Sequence, residues 1–509
     1  MSRPIRMRTA AAVVAGSVLL SRLLGLGRDA LLATLIGVDA DADLYFDAFF
    51  IPDILNYLVA GAYLTITLVP ILSRYLEAGD SDGASRAFTS VFRFVSWAII
   101  GLTILMWLFA EPLVGWIFPE VADADRLVSM TRLVLPAQVF LVSGALLMAV
   151  QYTHKRFVIP AAAPLVYNLG IIAGGLIGWA AGDPSPEAFL IGAVVGAGVG
   201  NFGLQWFGAR KTGTWLLAPR RGESAVGEYL LLALPLMIGQ SVAVLDEQFV
   251  RIFGQVDVGA TSALSFARRL NMVPVGVIAQ AAGVAAFPFL ASLAARGAED
   301  ELIDTTARAA RKTLFVAAAA MAGLVVLARP LVRLLYQYGE FSSADAELVA
   351  SLLTIYAFSV PAWGMHQLLV RHFYAKRRMW TPVLIGTLFT LIAIPVWLGL
   401  YEVMGVEGFA LASTLVMIGY ALGMLAAWGY DSGWGAVRQL APAFARGMFS
   451  AAVAGGLGVL LVNRMLPDDG VTVLSALWVG SVGGLTTLAA FLGVSALLRA
   501  PEMREVLSR

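Results

Sequence analysis

Cysteine is absent from the 509 residues, which excludes disulfides, thiolate metal sites and cysteine nucleophiles and leaves the redox compartment undetermined. Histidine is scarce: His154, His366 and His372 are the only imidazoles, and no clustered His/Asp metal pattern accompanies them. The chain has no Walker A, His-Glu-x-x-His or Gly-x-Ser-x-Gly motif, so the expectation is a protein that is not an enzyme and carries no cofactor and no metal. Charge is sparse as well. Asp, Glu, Lys and Arg make up 14% of the chain, against about 25% in soluble proteins, and a net charge of +1 argues neither for nucleic acid nor for an acidic partner, so no nucleic-acid partner is expected.

Apolar residues fill the space left by charge. The sequence is 59% hydrophobic with a mean hydropathy of +0.80, and runs of about 20 apolar residues, the length that crosses the hydrocarbon core, recur from end to end. The predicted spans are 10–37, 44–72, 88–118, 128–151, 158–181, 187–207, 228–254, 262–292, 313–338, 347–374, 381–401, 407–429, 447–463 and 472–498. The fold expectation is therefore an all-α integral membrane protein of about fourteen transmembrane helices, set in the bilayer. Arg3, Arg6 and Arg8 precede the first run as in a signal peptide, but Arg22 and Arg28 within it read as a retained helix.

The connections alternate in charge. One set carries Arg74 and Arg86, Lys155 and Arg156, Arg210 and Lys211, Arg308, Arg311 and Lys312, Lys376 to Arg378, Arg438 and Arg446, and Arg499. The opposite set carries Asp39 and Asp41, Glu120 and Asp123, Asp183 and Glu187, Asp257, Glu340, Glu402 and Asp468, with Arg126 and Arg464 its only cations. By the positive-inside rule the basic set and both termini are cytoplasmic.

A repeat runs through the chain. Tyr152, Lys155, Arg156 and Pro160 recur as Tyr374, Arg377, Arg378 and Pro382, and Val69-Pro70-Ile71-Leu72 is echoed by Phe287-Pro288-Phe289-Leu290. A shift of six helices predicts two pseudo-symmetric six-helix lobes, 1–221 and 222–437, and an extra helix pair, spans 13 and 14, at 438–509.

Ionisable side chains at membrane depth are costly, so each is a functional candidate. The first span holds Arg22, Arg28 and Asp29, and Arg28 and Asp29 are alternatively a simple pair near a helix end. The second holds Asp43, Asp47 and Asp53: Asp43 is read as a helix-N-terminal acid or a substrate group, Asp47 and Asp53 as counter-ions to Arg22 or Arg28 or as ligands of a coupling cation. In the seventh, Asp246 and Glu247 are further ion or counter-ion candidates, with Arg251 at the i,i+4 spacing from Glu247. Arg268 and Arg269 of the eighth have no acid nearby in sequence. Arg371 and His372 are explained by snorkelling to the interface. Arginines from both lobes point to a cationic chamber for an anion such as a phosphate or pyrophosphate headgroup.

The motifs Ser21-Arg22 through Arg28-Asp29, Asp43, Ala48-Phe49-Phe50-Ile51-Pro52, Val69-Pro70, Ala267-Arg268-Arg269-Leu270 with Pro274, the Tyr336-Gln337-Tyr338-Gly339-Glu340-Phe341 turn, and Phe373-Tyr374 with Thr381-Pro382 together resemble the MurJ/MviN lipid II flippases. The resemblance implies the fold of the multidrug/oligosaccharidyl-lipid/polysaccharide exporters. It also implies a bacterial cytoplasmic (inner) membrane location and outward flipping, by alternating access, of lipid II, the undecaprenyl-pyrophosphate-linked peptidoglycan precursor. Under it, Arg22, Arg28 and Arg269 fall on cavity arginines, Ser21 and Asp43 on signature positions, and cell wall synthesis proteins are candidate partners. One stretch departs from the family. Asn56 stands where a cavity arginine is expected, the following glutamate is absent, and Asp47 and Asp53 are added. A flippase for another undecaprenyl-linked oligosaccharide and a non-transporting scaffold for wall synthesis therefore stay open as alternatives.

Overall fold

The computed structural model describes residues 7–59, 63–213, 225–238, 242–278, 287–466 and 472–507. All regular structure among them is helical. They divide into two compact units, 1–240 with 255–262, and 241–254 with 263–509.

In the first unit the order is α1 (Met7–Leu35), α2 (Ala40–Asp47), α3 (Phe50–Val59), α4 (Tyr63–Glu77), α5 (Ser81–Leu108), α6 (Ala110–Ile117), α7 (Ala124–Val134), α8 (Ala137–Thr153), α9 (Val158–Ala180), α10 (Pro186–Gly196), a π-helical turn over Ala197–Gly203, α11 (Leu204–Arg210) and α12 (Val226–Ile238). In the second it is α13 (Val242–Gly254), α14 (Ala260–Ile278), which begins inside the first unit, α15 (Phe287–Ala295), α16 (Glu299–Tyr336), α17 (Ser343–Ala357), α18 (Val360–Ala375), α19 (Trp380–Met404), α20 (Val406–Ser432), α21 (Trp434–Arg438), α22 (Ala441–Met465), α23 (Val473–Leu497) and α24 (Pro501–Leu507).

Among the described residues nine helices are long and apolar enough to cross a membrane, or ten when the pair Ser343–Ala357 and Val360–Ala375, bent by 44°, counts as one span. The expected spans outside these ten are the first, second, seventh and eighth. The second, seventh and eighth include 60–62, 239–241 and 279–286, which lie outside the described residues. The second, expected as one helix over 44–72, breaks at Ala48 and Phe49. Pro52 has no N–H to offer the carbonyl of Ala48, so the ladder is interrupted there and resumes with proline in the first turn of α3.

The two Tyr-to-Pro turns share a backbone conformation. Lys155 and Arg377 both adopt the left-handed conformation, at φ 55 and 58. At each turn two amides close the helix in one pattern: Lys155 to the carbonyl of Tyr152 and Arg156 to that of Gln151, then Arg377 to Tyr374 and Arg378 to Phe373. This is the Schellman closure usually made with glycine. A cation here sits against the negative end of the helix it terminates.

Glycine sets the closest packing in the first unit. Gly170 and Gly174 of α9 and Gly192 and Gly196 of α10 are each four apart, and a Cβ on Gly192 would lie 2.3 Å from the carbonyl oxygen of Gly170. The two backbones meet where side chains are missing, as in small-xxx-small membrane pairs.

Candidate functional site

The first, second, seventh and eighth expected spans hold the ionisable candidates for a substrate or ion site drawn from the sequence. On α1, Arg28 donates from Nε and Nη2 to Oδ1 of Asp29 at 3.0 and 2.9 Å. Asp29 is buried, and only 13% of the Arg28 side chain is exposed. The pair is thus held away from water, and Arg28 has a counter-ion in the next residue. Arg22 is exposed and makes no ion pair among the described residues. Ser21 is half-buried and accepts a long 3.5 Å hydrogen bond from Nδ2 of Asn168 on α9. Asn168 is anchored in turn by donating to the carbonyl of Pro164 at 2.9 Å.

Asp43 is the most fully committed of the acids. Both its oxygens accept backbone amides at the start of α14: Gly259 donates to Oδ2 at 2.6 Å and Ser262 to Oδ1 at 2.7 Å. The carboxylate therefore satisfies N–H groups that a helix start leaves unpaired, with its charge against the positive end of the dipole. Gly259 has φ +84, and a Cβ there would meet Val38 Cγ1 and the Val38 carbonyl at 3.0 Å. The helix start that Asp43 meets is that of α14, 216 residues away. Upstream, Asp39 caps α2 by accepting from the amide of Ala42 at 2.9 Å. Partial burial pushes the Asp39 carboxyl above its ordinary value, against the lowering by that amide bond.

Asp47 is buried on α2 and Asp53 half-buried in the first turn of α3. Asn56 of α3 donates from Nδ2 to Oε1 of Gln138 on α8 at 2.8 Å, and Gln138 is 2% exposed. Where the family pattern leads one to expect a cation, this chain has a neutral amide pair.

In the second unit Arg251 is buried and donates to Oε1 of Glu247 at 3.1 Å, the pair expected from their spacing. The side chain of Asp246 lies outside the described residues. Arg268 is buried and Arg269 half-buried on α14, about 100° apart around the helix, so the two face different surroundings. One turn on, Asn271 donates from Nδ2 to Ser359 Oγ at 3.2 Å, tying α14 to the bend between α17 and α18.

Two ionic clusters were not foreseen. Arg126 donates from Nη1 to Asp41 at 2.5 Å and from Nε to Glu187 at 2.8 Å, joining α2, α7 and α10. Its sequence signal was its place among the acidic connections. The second overturns the snorkelling reading of His372, which is fully buried, its Nδ1 2.9 Å from Oγ1 of Thr306. Beside it Lys376 bonds Asp431 at 2.6 Å and also Glu299, and Arg378 bonds Asp431. This ties the acidic start of α16 and the end of α20 to the basic turn that follows α18. Burial alone would lower the Lys376 ammonium, but the two carboxylates hold it above its ordinary value.

Among the described residues no cluster of three or more His, Asp or Glu side chains is arranged for a metal ion. The family model described as "Lipid II flippase MurJ" matches residues 32–473. A probable lipid II flippase MurJ of Rhizobium tropici is 27% identical over 496 residues, 95% of this chain and 90% of the relative. A lipid II flippase MurJ of Burkholderia cenocepacia is 29% identical over 387 residues, 73% of this chain and 74% of the relative. The solved structure of a lipid II flippase MurJ in an inward closed conformation superposes with a TM-score of 0.75 at 22% identity, covering 94% of this chain and 98% of that one. An inward-facing multidrug resistance MATE family transporter of the MOP superfamily gives 0.63 at 12%, covering 83% and 95%. These two likenesses establish the transporter fold, and with the match over most of its length the chain belongs to the lipid II flippase MurJ family.

Proposed function

We propose that this protein moves lipid II from the cytoplasmic to the outer leaflet by alternating access, supporting cell wall synthesis. It is a multi-pass protein of the bacterial cytoplasmic membrane and belongs to a transporter family, not a catalytic one. In this reading fourteen spans place both termini in the cytoplasm, with lobes 1–221 and 222–437 and the extra pair 438–509. Arg22, Arg28, Ser21, Asp43 and Asn56 of the first unit, and Arg268 and Arg269 of the second, are the candidates for binding the headgroup, and Asp43 also clamps the start of α14. Asp47, Asp53, Asp246 and Glu247 are the candidates for a coupling cation or counter-ion, and cell wall synthesis proteins are candidate partners.

The observation that carries the proposal is the concentration of charge in expected spans one, two, seven and eight of a chain matched to the family over 32–473. An anionic headgroup supplies the ion-pair partner that exposed Arg22 lacks among the described residues. The Asn56–Gln138 pair favours a second reading, a headgroup on another undecaprenyl-linked oligosaccharide, because the second span offers it a neutral amide instead of a guanidinium. Expression in a bacterium depleted of its own lipid II flippase separates the two. Restored growth with lipid II on the outer leaflet supports the first, and failure with restored export of another undecaprenyl-linked glycan supports the second.

A further inference from the structure

The second unit contains an apolar groove of about 360 Å³ between α16, α18, α20 and α22, lined by Leu314, Ala362, Met365, Ala421, Leu425 and Met448 among others. Its size falls within the range of small-molecule sites, roughly 300–1,000 Å³. Phe358, Leu422 and Phe444 also line it, and they are 48%, 59% and 47% exposed, so the groove opens sideways. In a membrane-spanning unit that opening faces lipid.

The two ends of the groove differ. At one end the lining is Phe358 and Ile418, at the α17–α18 bend and well inside α20, and neither is charged. At the other it is Val437, Leu440 and Ala441, around the short helix α21 and the start of α22. Arg438 stands between Val437 and Leu440 in sequence and is exposed, as are Tyr430 at 88% and Trp434 at 49%. Arg311 lies one turn before Leu314 on the same face of α16. This end therefore has two elements bearing cations and an exposed aromatic pair, the composition of a membrane–water boundary.

We propose that this groove binds one acyl chain of an anionic phospholipid, with the headgroup held at the rim by Arg438 and Arg311. The slot offers nothing polar to an occupant, which fits a hydrocarbon chain, and the rim charge selects the headgroup. The site lies wholly within the second unit, uses none of the residues assigned to lipid II, and goes beyond the flippase reading.

The cysteine-free sequence provides the test. Leu422→Cys at the groove rim, and Leu388→Cys on the exposed face of α19 as a control (54% exposed), are labelled with bimane in the full-length protein in phosphatidylcholine vesicles. Quenching by chain-brominated phosphatidylglycerol is compared with quenching by chain-brominated phosphatidylcholine. The expected result at Leu422→Cys is half-maximal quenching at a mole fraction about five-fold lower for the anionic lipid, the preference one or two interfacial cations confer. That preference disappears when Arg311→Gln and Arg438→Gln are added, and it is absent at Leu388→Cys throughout. Equal quenching by both lipids at Leu422→Cys overturns the proposal. So does a lack of quenching there while Leu388→Cys is quenched, which makes the occupant protein, such as a second copy of the chain. Complete relief of anionic-lipid quenching by a small fraction of undecaprenyl phosphate also overturns it, assigning the groove to an isoprenoid.

Discussion

Replacing Asp43 with asparagine tests the clamp on α14 with almost no change in shape. In the native protein the amides of Gly259 and Ser262 each have their own carboxylate oxygen, at 2.6 and 2.7 Å. Asparagine keeps one acceptor and turns an N–H₂ donor toward the other amide. One charge-assisted bond is lost, and a buried N–H is left facing a donor. Bonds to a charged acceptor contribute about 1.5–3 kcal/mol and an orphaned buried donor costs about 1–3, so the expected loss is about 2–4 kcal/mol after partial relaxation. Hydrogen exchange read by mass spectrometry on peptides covering 257–264 reports it directly. Where local opening governs exchange, Asp43→Asn speeds it by at least about 30-fold. Asp41→Asn, on the same helix but bonded to Arg126, leaves it unchanged. Native exchange at Gly259 and Ser262 in Asp43→Asn would refute the clamp.

The remaining predictions concern backbone geometry. Gly192→Ala drives a methyl onto the Gly170 backbone and lowers stability by about 1–3 kcal/mol, whereas Gly101→Ala, with open space around it, stabilises by about 0.5–1; thermal melts of the two in one detergent should shift in opposite directions. Lys155→Gly removes a left-handed strain of about 1–2 kcal/mol but adds unfolded-state freedom worth about 0.4–1, so its melting temperature stays level or rises. Lys155→Val, branched at the same φ, melts lower than wild type.

Local signals in the sequence were read well, and distant ones were not. The Glu247–Arg251 pair and the helix-ending turns at Lys155 and Arg377 depend on neighbours three to five residues apart, so spacing carries them. Pro52 already held the break in the second helix, but hydropathy averaged across it. The partners of Asp43 and Asn56 lie 216 and 82 residues away, and nothing in a single sequence pairs an acid with backbone amides that any residue supplies. His372 was misread because an amphipathic residue near a helix end looks alike whether it reaches water or meets Thr306 inside. The candidate arginines were legible because charge in an apolar run is conspicuous.

Outward transfer of lipid II by this chain is measured most directly in a strain whose own flippase is shut off, using a periplasmic probe that cleaves only outer-leaflet lipid II. The wild-type chain should restore cleavage, while Arg28→Ala and Arg269→Ala, expressed and folded to the same level, should reduce it by at least tenfold. Wild-type expression with no cleavage, or full cleavage in both arginine variants, would contradict the assignment of this protein as an arginine-dependent lipid II flippase.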